Sequence, residues 1–137
     1  MQCTGQCRCG DIKIQVTAAI ESRELQPRVC DCDYCQQHPA AIISHPSMVM
    51  TLLSPLVQLH MDKNGDQLAG FYRCPNCREL IFVGCSIEGV LRGAVNVNLL
   101  QAQFGEAIAI SPKKLTPEQK LERWRGLWGP IEQATPG

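Results

Sequence analysis

The grouping of cysteines limits what this chain can fold into more than any other feature. Nine cysteines occur among 137 residues, and seven of them fall into three compact groups. Two cysteines on a tight turn can place both sulfur atoms about 2.3 Å from one zinc ion. The pattern therefore predicts metal binding, rather than small buried core residues or disulfides within the pairs. The groups are Cys7-x-Cys9, Cys30-x-Cys32-x-x-Cys35 and Cys74-x-x-Cys77.

Seven ligands can be divided into one site of four and one site of three. A closed structural zinc takes four ligands, whereas a catalytic zinc takes three and keeps one position open. A site that joins the first and last pairs would close a long loop and remove much of the entropy of the unfolded chain. Cys30, Cys32 and Cys35, which we call the three-cysteine group, form a local set. Three thiolates leave their zinc less negative than four, so this zinc would be the better Lewis acid.

Several side chains near the three-cysteine group are candidates for proton transfer or as further ligands. The alternative for each is an ordinary solvated or packed side chain. His38 follows the group closely, and Tyr34 lies inside it, where it can also simply pack over the metal. The candidates are Asp31, Asp33, Tyr34 and His38.

The two remaining cysteines have simpler predicted roles. Cys85 follows an apolar run, and we expect it in the core. Cys3 lies near a terminus that we expect to be mobile.

Composition and charge limit the partners of the protein. The chain has 13 basic residues (Lys and Arg) and 13 acidic residues (Asp and Glu), so its net charge is zero. It therefore lacks the excess of positive charge that nucleic-acid binding needs. No apolar run approaches the ~20 residues of a membrane helix, and the N-terminus does not look like a signal peptide. We expect a cytoplasmic protein that binds neither nucleic acid nor membrane, and the oligomeric state stays open.

Short alternating segments predict an all-β domain. Ile12, Ile14 and Val16 alternate with polar residues, as in a half-buried strand. Residues 57–61 alternate in the same way, Asn64-Gly65 favours a type I′ turn, and residues 68–73 would return to Cys74 as the second strand of a hairpin. Further strands are predicted at 80–83, 90–97 and 107–110.

One helix is predicted near the C-terminus. Thr116 is suited to the N-cap, Pro117 to the first helical position and Gln119 to a capping box, and Gly129-Pro130 would end the helix. We expect its apolar face to pack on the sheet. Residues 1–112 would form a zinc-binding β domain, with the helix and tail of 113–137 packed on it. The apolar face consists of Leu121, Trp124 and Trp128.

The cysteine motifs, with their order and spacing, resemble the glutathione-dependent formaldehyde-activating enzyme family. The resemblance rests on Gly5-x-Cys7-x-Cys9-Gly10, on the three-cysteine group and on Cys74-Pro75-x-Cys77. This chain departs from the usual pattern at three positions. Arg78 stands where glycine is usual, Gln36 where a basic residue is common, and Asp31 where histidine is common.

The resemblance implies a fold, two metals and a reaction. The fold would be several small twisted antiparallel β-sheets around a zinc knuckle, shared with methionine-R-sulfoxide reductases. The activity would be that of a carbon–sulfur lyase on thiol–aldehyde adducts such as S-hydroxymethylglutathione, with a small-molecule thiol and an aldehyde as partners. The implied ligands are Cys7, Cys9, Cys74 and Cys77 for a structural zinc and Cys30, Cys32 and Cys35 for a catalytic zinc.

Two other functions are compatible with the same residues. In a non-catalytic interaction module stabilised by zinc, all seven clustered thiols would be structural. A sulfoxide reductase would need a reactive cysteine away from zinc, and only Cys85 or Cys3 is available for that role. The surroundings of Cys85, Val83-Gly84-Cys85-Ser86, do not look like the catalytic strand of the reductases.

Overall fold

The structure is a computed structural model, and it describes residues 1–30, 40–63, 68–110 and 115–134. In this part of the chain the model is mostly β-sheet with one α-helix near the C-terminus, which confirms the predicted fold class. The strands are β1 (Gln2–Gln6), β2 (Lys13–Thr17), β3 (Arg28–Cys30), β4 (Ala41–Ile43), β5 (Val49–Leu52), β6 (His60–Lys63), β7 (Gly70–Arg73), β8 (Leu80–Ile87), β9 (Val90–Asn96), β10 (Ile108–Ile110) and β11 (Gly129–Gln133), and the helix is α1 (Pro117–Leu127).

Hydrogen bonds join the described strands into one branched sheet. The main path runs β1-β2-β5-β11-β9-β4-β3-β10. A branch of β8, β7 and β6 leaves this path at β9. Strand β9 therefore has β8 along one edge, while β11 and β4 share the other edge.

Most pairings are antiparallel, as expected, but two are parallel. Strand β10 pairs with β3, and β11 pairs with β5, in parallel register. Parallel neighbours need a long connection between them, so the local alternation of residues cannot reveal them. Both pairings bring late parts of the chain beside early strands.

The predicted hairpin exists, but its first strand begins later than expected. Residues Leu56–Gln58 form a 3₁₀ turn, and the strand covers His60–Lys63. Pro55 precedes the turn in an extended conformation, and the amide of Leu59 bonds to the carbonyl of Leu56, so the alternation before His60 does not reflect a strand. The pairing of β6 with β7 is antiparallel, and the predicted Asn64-Gly65 turn lies outside the described residues.

The N-terminus is also more ordered than the sequence suggested. Cys3 lies in β1 opposite Val16 and is half-buried, so the expectation of a mobile terminus is wrong. The amino group of Met1 donates a 2.8 Å hydrogen bond to the carbonyl of Ala18. Pairing with β2 gives these backbone groups partners that a free terminus would lack.

Apolar side chains fill two cores. The larger core includes residues from β2, β5 and β8 and also contains Cys7 and Cys74. The smaller core packs Phe71, Val83 and Ala94 against the helix. Cys85 belongs to this smaller core and is 9% exposed, which confirms its predicted burial.

The helix forms as its sequence predicts. Thr116 accepts a hydrogen bond from the amide of Gln119, and the Gln119 side chain bonds back to Thr116 to complete the capping box. Trp124 and Trp128 are buried and stack with ring centroids 4.5 Å apart. Such a stack contributes about 1 kcal/mol beyond the burial of its area. The predicted apolar face therefore packs on the sheet.

The helix ends near Gly129-Pro130, but the chain then continues as a strand that the sequence did not predict. Strand β11 begins at Gly129 and lies between β5 and β9. In the described residues, no helix is both long and apolar enough to cross a membrane.

Candidate metal centre

A tight turn between β1 and β2 presents the first two cysteines. The amide of Cys7 bonds to the carbonyl of Ile12 at 3.1 Å, and the amide of Gly10 bonds back to the carbonyl of Cys7 at 2.9 Å. Gly10 has a φ of 81°, a conformation that glycine adopts without a steric penalty. This turn, which we call the first knuckle, buries Cys7 and exposes Cys9.

A turn of similar design between β7 and β8 presents the other pair. The amide of Cys74 bonds to the carbonyl of Glu79, and the amide of Arg78 bonds to the carbonyl of Cys74, both at 3.0 Å. Arg78 has a φ of 68°. Glycine adopts this conformation without a steric penalty, which explains why glycine is usual at this position in the family that the cysteine motifs resemble. We call this turn the second knuckle; it buries Cys74 and leaves Cys77 half-buried.

The two knuckles bring four sulfur atoms together. All four Sγ atoms, from Cys7, Cys9, Cys74 and Cys77, lie within 4.8 Å of one another. Cys9 Sγ lies 3.6 Å from the Sγ atoms of both Cys7 and Cys74. Tetrahedral zinc with bonds of 2.3 Å requires a sulfur separation of about 3.8 Å, whereas a disulfide requires about 2.0 Å. The four cysteines therefore fit one tetrahedral metal ion and can bind it.

Backbone amides also favour the thiolate form that a metal needs. Burial raises the pKa of Cys77, but the amides of Glu79 and Cys9, together with neighbouring thiols, outweigh this effect and lower the pKa to about 6. Burial raises the pKa of Cys74 to about 12, although the amides of Cys77 and Asn76 oppose it. Metal binding would displace the proton that burial keeps on Cys74.

Two side chains that the sequence analysis did not single out hold the knuckles against each other. The backbone amide of Arg8 donates to Glu79 Oε1 at 2.8 Å, and Arg8 Nη2 donates to the carbonyl of Cys77 at 3.0 Å. These bonds join positions that are far apart in the sequence, so cysteine spacing alone gives no signal for them. Together they fix how the two cysteine pairs face each other.

Replacing Arg78 with glycine should stabilise the protein. Arg78 holds a left-handed conformation, which costs a non-glycine residue about 1–2 kcal/mol, and its side chain is exposed. Glycine removes that cost but loses more entropy on folding, so we expect a net gain of about 0.5–1 kcal/mol. Denaturant unfolding at a fixed zinc concentration measures the change.

Arg8 provides the matched control, because it is an exposed arginine in the first knuckle. Arg8→Gly removes the bond to the Cys77 carbonyl and should lower stability by about 1 kcal/mol. A loss of stability in Arg78→Gly equal to that in Arg8→Gly would contradict the role assigned to the backbone conformation.

The three-cysteine group lies mostly outside the described residues. Cys30 is the last residue of β3 and is the register partner of Ile110 in β10. The described chain resumes at Ala40, which leads into β4, the antiparallel neighbour of β3. A metal site in this group stays a prediction. The predicted site residues outside the described part are Asp31, Cys32, Asp33, Tyr34, Cys35 and His38.

Comparison with known proteins identifies the family. The family model of the glutathione-dependent formaldehyde-activating enzyme matches residues 2–120. The chain belongs to this family. The match includes both knuckles and the three-cysteine group.

The other comparisons give the fold but no activity. A crystal structure of a Rhodobacter sphaeroides protein, a structural genomics target, is similar with a TM-score of 0.56 and 20% sequence identity. The alignment covers 73% of this chain and 89% of that chain. No curated protein gave a significant match.

Gly5 is the first residue of the family's cysteine motif and precedes the first knuckle. Gly5 forms an isolated antiparallel bridge with Leu100. A Cβ atom at this position would lie 2.3 Å from the carbonyl oxygen of Leu99. The motif glycine is therefore needed for the close approach of two backbones, which places the first knuckle beside the larger core.

Proposed function

We propose that the protein is a zinc-dependent carbon–sulfur lyase that acts on thiol–aldehyde adducts of the S-hydroxymethylglutathione type. The observation that carries the proposal is the family match over residues 2–120, which spans all three cysteine groups. The four-cysteine cluster supports a proposal in which one zinc ion is structural and a second zinc ion is catalytic. Four sulfur ligands fill a tetrahedral site, so that site keeps no position for a substrate.

Catalysis would then belong to the three-cysteine group. Cys30, Cys32 and Cys35 would hold the second zinc, which supplies an open position and Lewis acidity when bound. The sheet supports this group by holding its first cysteine in place, because Cys30 ends β3, which pairs with β10 on one side and β4 on the other. Two zinc ions per chain and a reducing compartment such as the cytoplasm belong to this proposal, since clustered thiolates need protection from oxidation.

The proposed reaction needs no redox cofactor. In the forward direction, the sulfur of the thiol forms a bond to the aldehyde carbon while the carbonyl π bond opens, and one proton moves from sulfur to oxygen. The reverse direction breaks the same carbon–sulfur bond. A side chain must carry that proton, and the candidates are Asp31, Asp33, Tyr34 and His38.

Replacing Cys32 with alanine should abolish the lyase activity without unfolding the protein. The three-cysteine group closes only a short loop, so its metal adds little to global stability. We expect loss of one equivalent of zinc and a loss of adduct formation of about 100-fold or more, because a Lewis acid contributes several kcal/mol to transition-state stabilisation and about 1.4 kcal/mol corresponds to a tenfold change in rate. Metal analysis and exchange NMR with glutathione and formaldehyde measure both effects.

Cys85→Ala is the matched control, because Cys85 is buried in the smaller core and lies outside both cysteine sites. It should keep both zinc ions and the activity. A wild-type protein that accelerates adduct formation with none of several thiols and aldehydes would contradict the lyase. That result would favour the non-catalytic interaction module.

A further inference from the structure

The four cysteines of the metal centre differ in their access to solvent. Cys7 and Cys74 are only 1% and 0% exposed, Cys77 is half-buried, and Cys9 is exposed. A metal holds its thiol ligands deprotonated, and the thiolate is the form of cysteine that reacts with oxidants. A small oxidant in solvent therefore reaches Cys9 more easily than the other three ligands.

Two other sulfur atoms lie close enough to Cys9 to form a disulfide with it. Cys9 Sγ is 3.6 Å from the Sγ atoms of both Cys7 and Cys74. A disulfide needs a separation of about 2.0 Å, so one sulfur atom must move toward the other. The exposed side chain of Cys9 has room for this movement, whereas its two neighbours are enclosed in the larger core.

The turn of the first knuckle makes Cys7 the less suitable partner. Cys7 Sγ accepts a 3.4 Å hydrogen bond from the amide of Ile12, and the carbonyl of Cys7 accepts a 2.9 Å bond from the amide of Gly10. A disulfide between Cys7 and Cys9 would span a single residue inside this turn. Because disulfide geometry tolerates little distortion, such a bond would strain a backbone that these contacts already fix.

Cys74 lies in the other knuckle, and contacts outside the sulfur cluster keep it beside Cys9. The amide of Arg8 donates to Glu79 at 2.8 Å, and the guanidinium of Arg8 donates to the carbonyl of Cys77 at 3.0 Å. Neither bond uses a sulfur atom, so both can persist when the metal loses ligands. A bond between Cys9 and Cys74 would join the two knuckles and leave the backbone of each turn as it is.

We propose that Cys9 and Cys74 form a site of reversible oxidative modification by hydroperoxides. The bond between their sulfur atoms would then replace the metal as the link between the two knuckles. The proposal does not depend on the lyase function, because the four-cysteine cluster is separate from the three-cysteine group.

The oxidation takes place in two steps. A hydroperoxide first transfers its terminal OH group to Cys9 Sγ: the S–O bond forms, the O–O bond breaks, and the oxygen that leaves takes a proton from solvent. The sulfur of Cys74 then attacks Cys9 Sγ, so that the S–S bond forms and the S–O bond breaks, and the hydroxide leaves as water after taking up a second proton. Two thiolates lose two electrons to the hydroperoxide, and zinc loses two of its four ligands.

The disulfide would preserve the fold after the metal is lost. It closes the long loop between positions 9 and 74, and a cross-link over a long loop stabilises a protein by restricting its unfolded chain. A small-molecule thiol can reduce the disulfide again by exchange, which returns both sulfur atoms to the metal site.

Treatment of the zinc-loaded wild type with hydrogen peroxide tests the site. At early times, dimedone, which traps sulfenic acids, should label Cys9 about tenfold more than Cys7 or Cys74, because oxidation follows thiolate exposure. Without the trap, mapping of tryptic peptides should find Cys9 joined to Cys74. Cleavage after Arg8 and Arg73 places the three cysteines on three peptides, and fragmentation distinguishes the two cysteines of the third peptide. The mapping also reports this pair separately from the three-cysteine group.

Removal of zinc tests whether the disulfide replaces the metal. In a strong chelator, the reduced wild type should unfold, whereas the oxidised protein should still melt cooperatively when followed by circular dichroism. Addition of a reducing thiol should then unfold the oxidised protein as well. Neither measurement requires enzymatic activity.

Cys3→Ala and Cys85→Ala are the matched controls, since each removes a cysteine outside the four-cysteine cluster. Both should form the same disulfide and resist the chelator after oxidation. Cys9→Ser should lose the dimedone label and this resistance, and the wild-type mapping decides the question even if Cys9→Ser does not fold. A disulfide from Cys9 to any cysteine other than Cys74, oxidation of Cys9 without a disulfide, or unfolding of the oxidised protein in chelator would overturn the proposal.

Discussion

Cys74→Ala is expected to be insoluble or unfolded under conditions in which the wild type is folded. Cys74 is fully buried in the larger core, and its sulfur atom lies within 4.8 Å of those of Cys7, Cys9 and Cys77. Structural zinc sites contribute an apparent binding free energy of about 10–16 kcal/mol, while whole domains are stable by only about 5–15 kcal/mol. Zinc binding at this site can therefore supply stabilisation comparable to that of the whole fold, and the loss of a buried ligand weakens that binding.

Cys3→Ala is the matched control, because Cys3 is a half-buried cysteine in the strand before the first knuckle and is not part of the four-cysteine cluster. It should fold and retain zinc, with a small change in stability. Treatment of the wild type with a strong chelator should reproduce the Cys74→Ala result. A soluble Cys74→Ala protein that melts cooperatively at the wild-type temperature would show that the cluster does not hold the fold together.

The sequence predicted those features that depend on nearby residues. Strand β2 follows from the alternation of Ile12, Ile14 and Val16, and α1 begins at the predicted capping box because its bonds join residues three positions apart. The antiparallel pairing of β6 with β7 also follows from a local pattern. Each of these features is set within one turn or one hairpin.

Features that depend on distant residues were missed. Strand β11 contains Pro130 and two polar residues, so its sequence does not read as a central strand. Its place is set by backbone partners in β5 and β9, which lie far away in the sequence. The parallel pairing of β10 with β3 was missed for the same reason.

In the candidate metal centre, too, the local features follow from the sequence, whereas the contacts between distant residues do not follow from spacing alone. Cysteine spacing predicted two turns that present metal ligands, because each turn is local. The union of Cys7 and Cys9 with Cys74 and Cys77 was implied by the family resemblance, and the structure brings the four sulfur atoms together. The contact of Arg8 with Glu79 could not be predicted, since it requires the two knuckles to be docked first.

Gly129→Ala should strongly destabilise the protein by displacing the start of β11. A Cβ atom on Gly129 would lie 1.8 Å from the carbonyl oxygen of Met48 and 2.9 Å from that of His45. Both are backbone atoms, so no side-chain rotation can relieve the overlap. Gly129 also faces Gly93 across the β11–β9 pairing. We expect a loss of about 3 kcal/mol or more, at the upper end of overpacking effects, because two strand pairings must shift together.

A glycine in the helix provides a control whose replacement should change the stability in the opposite direction. A Cβ atom on Gly126 of α1 would meet no other atom within 4 Å, so Gly126→Ala should gain about 0.5–1 kcal/mol from the better helix propensity of alanine. Denaturant unfolding of both variants at the same zinc concentration compares them directly. Equal stability of Gly129→Ala and Gly126→Ala would mean that β11 does not approach Met48 as closely as the structure shows. Stability loss in Gly129→Ala alone, with zinc content unchanged, would establish that the C-terminal strand supports the sheet independently of the metal centre.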